Sequence, residues 1–385
     1  MTVVLHSFST WLPLTQTWNY NQIRYLPHDI VSHVVADTTT HLDRFPIARL
    51  HSLETLPAAR RLLEKALRRL RLRSPRDLLR ATALAVRPDL HHSHFGSRGW
   101  IDLDAVRASG ARHVVTFYGA DVTWLPRNAP EWRERYRELF ASVDLVMCEG
   151  PHMGSEVQSL GCPAAKVRVH HLGVAVDEIP CRPRRLSPGE PLRVFMAASF
   201  VEKKGLAYGI EALGMLARER AVELTILGDE ADDPRSRGQR AKIDAAIERA
   251  DLASTTRRLG FQPHATFFEE AYRHHVFLAP SVTASDGDTE GGAPVAIIEA
   301  LATGMPVVST THCDIPEVVV DGEGGLLAPE RDAVALAARL RRLAARPEIW
   351  EGMARAGRER VEREFDARLQ AERAAGIYRE LASAS

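Results

Sequence analysis

Between Asp286 and Val308 the chain reads DGDTEGGAPVAIIEALATGMPVV, a stretch that joins two carboxylates to a place suited to a phosphate. Glu290 stands in a Gly-rich loop, and Glu299 falls on the helix that Val295, Ile298 and Ala302 mark out. Pro294 at the first helical position and Gly304 just past the last are the expected punctuation of that helix. Its start presents unpaired N–H groups and the positive end of a dipole, which together hold an anion. Neither carboxylate is needed for a core. Taken alone, the stretch is equally a capped, solvated helix of an α/β protein.

Two further stretches carry side chains suited to binding. In STWLPLTQTWNY, Trp11, Trp18 and Tyr20 are interleaved with Thr15, Gln16, Thr17 and Asn19, a composition that stacks on and hydrogen-bonds a polar ligand, or that anchors a loop to the core. Residues 57–80 set Leu62, Leu63, Ala66, Leu67, Leu70 and Leu72 at near-helical spacing. Nine basic side chains there (Arg60, Arg61, Lys65, Arg68, Arg69, Arg71, Arg73, Arg76 and Arg80) face only Glu64 and Asp77. Such a helix lies on anionic lipid or recruits an anionic acceptor, unless its leucines pack inward and leave a solvated face.

The elements that must position these residues follow from apolar runs. Val3 to Phe8 and Ser32 to Ala36 predict two strands, and PDLHHSHFG, RHVVTFYGAD, VDLVMCEG and KVRVHHLGV predict four more. Separated by helix-length segments, they describe a doubly wound parallel sheet, whose ligands bind beyond the carboxyl ends of the strands. His94, Gly96, Tyr118, Gly119, Asp121, Glu149 and Gly173 fall at those ends, whereas His91, His92 and His113 read as structural. Asp177 to Leu192 has four prolines and reads as a linker. The pattern then restarts with RVFMAAS, VELTILGDE, RRLGF and VFLAPS, and closes with helices from Ala333.

A chain of 385 residues exceeds what one core usually supports, so two domains are expected. Fifty basic and fifty acidic residues cancel, which argues against a nucleic-acid binder. The lysines are Lys65, Lys166, Lys203, Lys204 and Lys242, so a lysine within a motif stands out. Cys148, Cys162, Cys181 and Cys313 form no CxxC pair, in keeping with a reduced cytoplasmic compartment. No segment reaches the roughly 18 apolar residues of a membrane span. A cytoplasmic protein is expected, peripheral at the inner membrane face if residues 57–80 bind lipid.

FVEKKG at residues 200–205, EGGAPVAIIEALATGMPVV and DIPEVVVDGEGGLLAP resemble glycosyltransferase family 4, the retaining family with the GT-B fold. LPLTQTWNYNQI, PDLHHSHFG, VVTFYGADV and VRVHHLGV are similar to bacterial exopolysaccharide-type members, in the family's order. The resemblance implies two Rossmann-like parallel-sheet domains facing a central cleft. An acceptor-binding domain would occupy residues 1–178, a linker 179–191 and a nucleotide-sugar-binding domain 192–365, with a helix over 366–385 crossing back to the first. It further implies transfer of a sugar from a nucleotide diphosphate to a polar or lipid-linked acceptor, without a metal or other cofactor.

By the same resemblance, Lys204 holds the donor diphosphate, Glu299 the ribose, and Glu290 lies near the sugar hydroxyls. Gly291, Gly292 and Ala293, ahead of Pro294, offer backbone N–H groups to the diphosphate. Ser199, Gly228 and Phe261 join the nucleotide site, the last within Gly260 to Gln262, which meets the base. Tyr118 and Asp121 complete the catalytic set. A lysine as a point charge for phosphate and a carboxylate for paired hydroxyls suit these roles.

Several positions depart from the family. Ser199 stands where an arginine usually flanks the diphosphate, and Tyr118 replaces the histidine of HGxD. Eight residues separate Glu290 from Glu299, one more than usual, so the loop is expected to bulge. Cys313 and Asp314 replace Gly-Gly before IPE. Asp286, Gly287 and Asp288 spell DxD, a metal motif of another glycosyltransferase fold that this one does not require. The rival readings are a sugar phosphorylase, a sugar-nucleotide epimerase and a catalytically silent sugar-nucleotide binder on the same architecture.

Overall fold

The computed structural model describes residues 1–13 and 16–384. Runs of apolar residues ending in small or polar ones form parallel strands in two sheets. The first holds β1 (Thr2–Trp11), β2 (Ile30–Thr39), β3 (Leu50–His51), β4 (Leu90–His94), β5 (Arg112–Thr116), β6 (Leu145–Cys148) and β7 (Val167–Val169), in the order β3-β2-β1-β4-β5-β6-β7. The second holds β8 (Leu192–Ala197), β9 (Val222–Leu227), β10 (Thr256–Gly260), β11 (Val276–Ala279), β12 (Val307–Thr310) and β13 (Gly325–Ala328), in the order β10-β9-β8-β11-β12-β13. Packing divides the chain into Met1–Gly173 with Ala367–Ser385, and Val174–Asp366.

Burial on both faces explains why these strands read as continuous apolar runs. Side chains alternate across a strand, so in the second unit Val194, Met196, Leu278 and Val308 enter one core with Leu213 and Leu340. Phe195, Phe277 and Val307 enter the opposite core with Ile298 and Leu301. The proline-rich segment expected as a linker lies in this unit. Arg184 within it is buried and donates to Ala271 O at 2.9 Å and Thr303 O at 3.0 Å, and burial lowers its pKa to about 10.

In the first unit β1 runs on to Trp11, beyond the expected Phe8. Trp11 is fully buried against Phe8, Leu12 and Ile23, and its indole N–H donates to Phe45 O at 3.3 Å. That tryptophan anchors the core; Tyr20 packs beside it and Phe45, while Thr15 lies outside the described residues. The helix Ala367–Ser383 belongs to this unit, where Ala374, Ala375, Ile377 and Tyr378 join Val4, Ile30, Leu90 and Val114.

Residues 57–80 form two helices, Ala58–Arg69 and Pro75–Val86, the second begun by a Ser74–Asp77 capping box. The reading in which the leucines pack inward is corrected here. Leu62, Leu63, Leu70 and Leu72 are 57–69% exposed, and Glu64 is the buried residue of the first helix, paired with Arg73.

Strand order reverses between β1 and β4 in one sheet and between β8 and β11 in the other. At such a reversal the connections leave to opposite faces and open a crevice at the carboxyl ends of the strands.

Candidate active site

In the second unit the crevice is walled by the segments that leave β8 and β11. After β8 come half-buried Ser199, the 3₁₀ turn Glu202–Lys204 and Gly205. Gly205 has φ +61°, and a Cβ there would fall 1.8 Å from Pro280 O. Only glycine lets this turn close against the end of β11. The closure aims Lys204 at the loop that follows β11, where its Nζ donates to Glu290 Oε2 at 2.7 Å. Ser281 Oγ donates to the other oxygen of Glu290 at 2.8 Å, and the Glu290 N–H donates to His312 Nε2 at 3.1 Å. Burial pushes the Glu290 carboxyl up, but Lys204 and Lys203 outweigh it and hold the pKa down to about 2.

Around this pair the loop is tied by cations. Lys203 donates to Asp288 Oδ1 at 3.1 Å and Thr289 O at 2.8 Å, and Arg235 reaches Asp288 Oδ2 at 3.3 Å. Asp286 Oδ1 accepts the Asp288 N–H at 3.0 Å. The DxD sequence is thus a turn with its second carboxylate already shared by two positive charges. Gly291 and Gly292 are buried, and the Gly291 N–H donates to Thr289 Oγ1 at 3.1 Å. Pro294 has ψ 128° and precedes the helix Val295–Ala302, where a first-turn proline was expected. The first helical amide is therefore that of Val295. Cys313 takes φ +47°, a conformation that glycine adopts freely, and burial pushes its thiol up to about 12.

Glu299 is buried on that helix, and its Oε1 lies 2.7 Å from His264 Nε2. Burial lowers the His264 pKa, but the Glu299 carboxylate outweighs it and raises it from that of a free histidine. Phe261 is 52% exposed, three residues before His264. Gly228 has φ +127°, and a Cβ there would sit 1.9 Å from Ala198 O, so only glycine lets the end of β9 pass beside that of β8.

The first unit places Tyr118 and Asp121 beyond β5. Asp121 accepts the Tyr118 N–H at 3.0 Å and the Gly96 N–H at 2.7 Å, so it holds the strand-end turn. Tyr118 Oη lies 2.6 Å from His94 Nδ1, and burial raises its pKa well above that of a free tyrosine. The Trp18 ring stands 6.3 Å from that of Tyr118. His91 lies 3.1 Å from Asp102, His92 2.7 Å from Thr116 and His113 3.0 Å from Ser93, all buried.

Lys204 and Glu290 are thus in contact, Glu299 lies on the helix that follows their loop, and Tyr118 and Asp121 lie in the other unit. Sequence reasoning missed Lys203, Arg235, Ser281, His264 and His312 as members of the site. Lys203 had a signal, its place in FVEKKG. His264 had none, since its contact with Glu299 spans 35 positions.

Residues 15–178 match the description Glycosyltransferase Family 4, and residues 191–346 match Glycosyl transferases group 1. The amylovoran biosynthesis glycosyltransferase AmsK of Erwinia amylovora is 34% identical over 297 residues, 76% of this chain and 70% of that protein. The putative colanic acid biosynthesis glycosyltransferase WcaL of Escherichia coli is 35% identical over 310 residues, 78% and 71%. Among solved structures, Anabaena HepE in complex with UDP-glucose aligns with a TM-score of 0.76 at 16% identity, covering 99% of this chain and 100% of that one. Sucrose-phosphate synthase from Thermosynechococcus elongatus gives 0.76 at 17%, covering 100% of both.

Proposed function

This chain belongs to glycosyltransferase family 4, and we propose that it moves a sugar from a nucleotide diphosphate sugar to an acceptor hydroxyl with retention of configuration. The observation that carries the reading is the contact between Lys204 and Glu290 at the strand-order reversal of the second sheet. The family relatives are named as glycosyltransferases, which favours transfer over the phosphorylase, epimerase and silent-binder readings.

In this reading the bond between the anomeric carbon and the phosphate oxygen breaks, and the acceptor oxygen bonds to that carbon from the same face. The acceptor proton passes to the departing diphosphate. The enzyme orients both partners and stabilises the leaving charge. Lys204 faces the diphosphate together with the amides ahead of Val295, Glu299 holds the ribose, and Glu290 receives sugar hydroxyls. Gly228 and Phe261 border the nucleoside. Lys203 and Arg235 bring cations to the loop at Asp288. No metal is required, because those cations already occupy the Asp288 carboxylate. Product analysis by proton NMR tests retention: the account expects the donor's anomeric configuration in the product, and inversion overturns it.

UDP-glucose, bound by the Anabaena protein, represents the donor class. The acceptor is polar or lipid-linked, met by a chain lying at the cytoplasmic face of a membrane. Exposed Leu62, Leu63, Leu70 and Leu72 among arginines support that placement, by pairing apolar area with attraction to anionic headgroups. Among the described residues, no helix is long and apolar enough to cross a membrane.

A further inference from the structure

Behind Tyr118 stands a chain of buried imidazoles that the reaction so far does not use. His94 Nδ1 lies 2.6 Å from Tyr118 Oη, and His94 Nε2 lies 3.2 Å from His6 Nδ1. His6 Nε2, at the far end, is buried with no hydrogen-bond partner among the described residues. Topology makes the chain. His6 and His92 are direct partners across β1 and β4, and His94, two residues on, shares their face. Phe8 stacks on the His94 ring at 4.1 Å between centroids. Phe95, with φ +77°, turns the backbone sharply just after it, a strained conformation of the kind held at functional sites.

Burial lowers the pKa of His6 to about 3 and that of His94 well below 6.5, and raises that of Tyr118, so all three are neutral near pH 7. A neutral imidazole has one N–H and one lone pair, which leaves two arrangements. In one, Tyr118 donates to His94, His94 donates to His6, and an N–H of His6 is stranded. In the other, His6 donates to His94, His94 donates to Tyr118, and only a lone pair of His6 is stranded. A stranded buried N–H is the rarer defect, so the second arrangement is preferred. It leaves the Tyr118 proton free for Gln22, whose Oε1 lies at 3.4 Å. Gln22 shares the helix Thr17–Arg24 with Trp18, whose indole N–H is buried and has no partner among the described residues.

We propose that His6 and His94 are positioning residues that fix Tyr118 as a hydrogen-bond donor toward an acceptor-sugar hydroxyl, in a subsite shared with Gln22 and Trp18. The proposal rests on the transferase reading for its acceptor. The imidazole missing from position 118 is then supplied one hydrogen bond behind it.

Two measurements test it. With ¹⁵N-histidine labelling, NMR of the full chain should show His94 as the Nδ1–H tautomer, with that signal shifted in Tyr118→Phe. An Nε2–H tautomer overturns the proposal, and so does a zinc titration that fills His6, His92 and His94, whose ring nitrogens lie within 4.8 Å of one another. In donor hydrolysis, where water takes the acceptor's place, Tyr118→Phe and His94→Leu should each slow nucleotide release about tenfold, the scale of one lost hydrogen bond. The double variant should be no slower than Tyr118→Phe, and His94→Asn, which keeps a polar atom near Nδ1, should recover most of the rate. Losses that multiply overturn the chain. Absence of hydrolysis by the wild type would defeat the transferase reading, while the tautomer seen by NMR would still decide the hydrogen-bond chain.

Discussion

Lys204 Nζ stands 2.7 Å from Glu290 Oε2, so the cation assigned to the diphosphate is paired beforehand with the carboxylate assigned to the sugar. A donor must exchange one anion for another at Lys204. Glu290→Gln removes the competitor, and nucleotide diphosphate should bind at least as tightly as to the wild type while sugar release slows. Lys204→Ala should weaken nucleotide binding about tenfold or more, since a charge-assisted contact contributes about 1.5–3 kcal/mol. Calorimetry with UDP and GDP checks both. A Glu290→Gln protein that loses affinity as Lys204→Ala does would contradict the exchange.

Acid should unfold the first unit early. Burial holds His6 and His113 at about 3, His170 at about 4, and His92 and His94 well below 6.5. These groups are neutral when folded and take protons near pH 6.5 when unfolded. Their contribution is therefore complete above about 6.5 and is lost as pH falls toward 3, each adding up to about 1.4 kcal/mol per pH unit. Five of the six tryptophans (Trp11, Trp18, Trp100, Trp124 and Trp132) lie in this unit, so fluorescence during urea unfolding reports it. The midpoint should fall steeply between pH 7 and pH 5; an unchanged midpoint refutes the assignment.

The strands were legible because a sheet covered on both faces demands continuous apolar runs, as in β8 and β11. The loop that carries Glu290 and the helix that carries Glu299 were legible, since each is local in sequence. Periodicity could not say which side of a helix faces inward, so the outward leucines at 62, 63, 70 and 72 were not. Neither was Trp11, which reads the same in a ligand loop as at the buried end of a strand. Contacts such as Arg235 with Asp288 or His264 with Glu299 join segments far apart in the chain and leave no local signature.

Neutralising Arg68, Arg69, Arg71 and Arg73 should release the protein from vesicles containing anionic lipid, at about 1 kcal/mol per charge. Replacing Leu62, Leu63, Leu70 and Leu72 with serine should do the same with little change in melting temperature, because these side chains are already exposed. Flotation with phosphatidylglycerol vesicles measures both. Binding that survives both changes excludes this surface.

The central claim is that the second unit binds and activates a nucleotide-sugar donor through Lys204 and Glu299. Nucleotide release from a panel of UDP-, GDP- and ADP-sugars by the purified chain tests it most directly. The account predicts slow release from at least one donor, collapsing in Lys204→Ala and in Glu299→Ala. Release that persists in both variants, or a wild type that binds no donor, would contradict it.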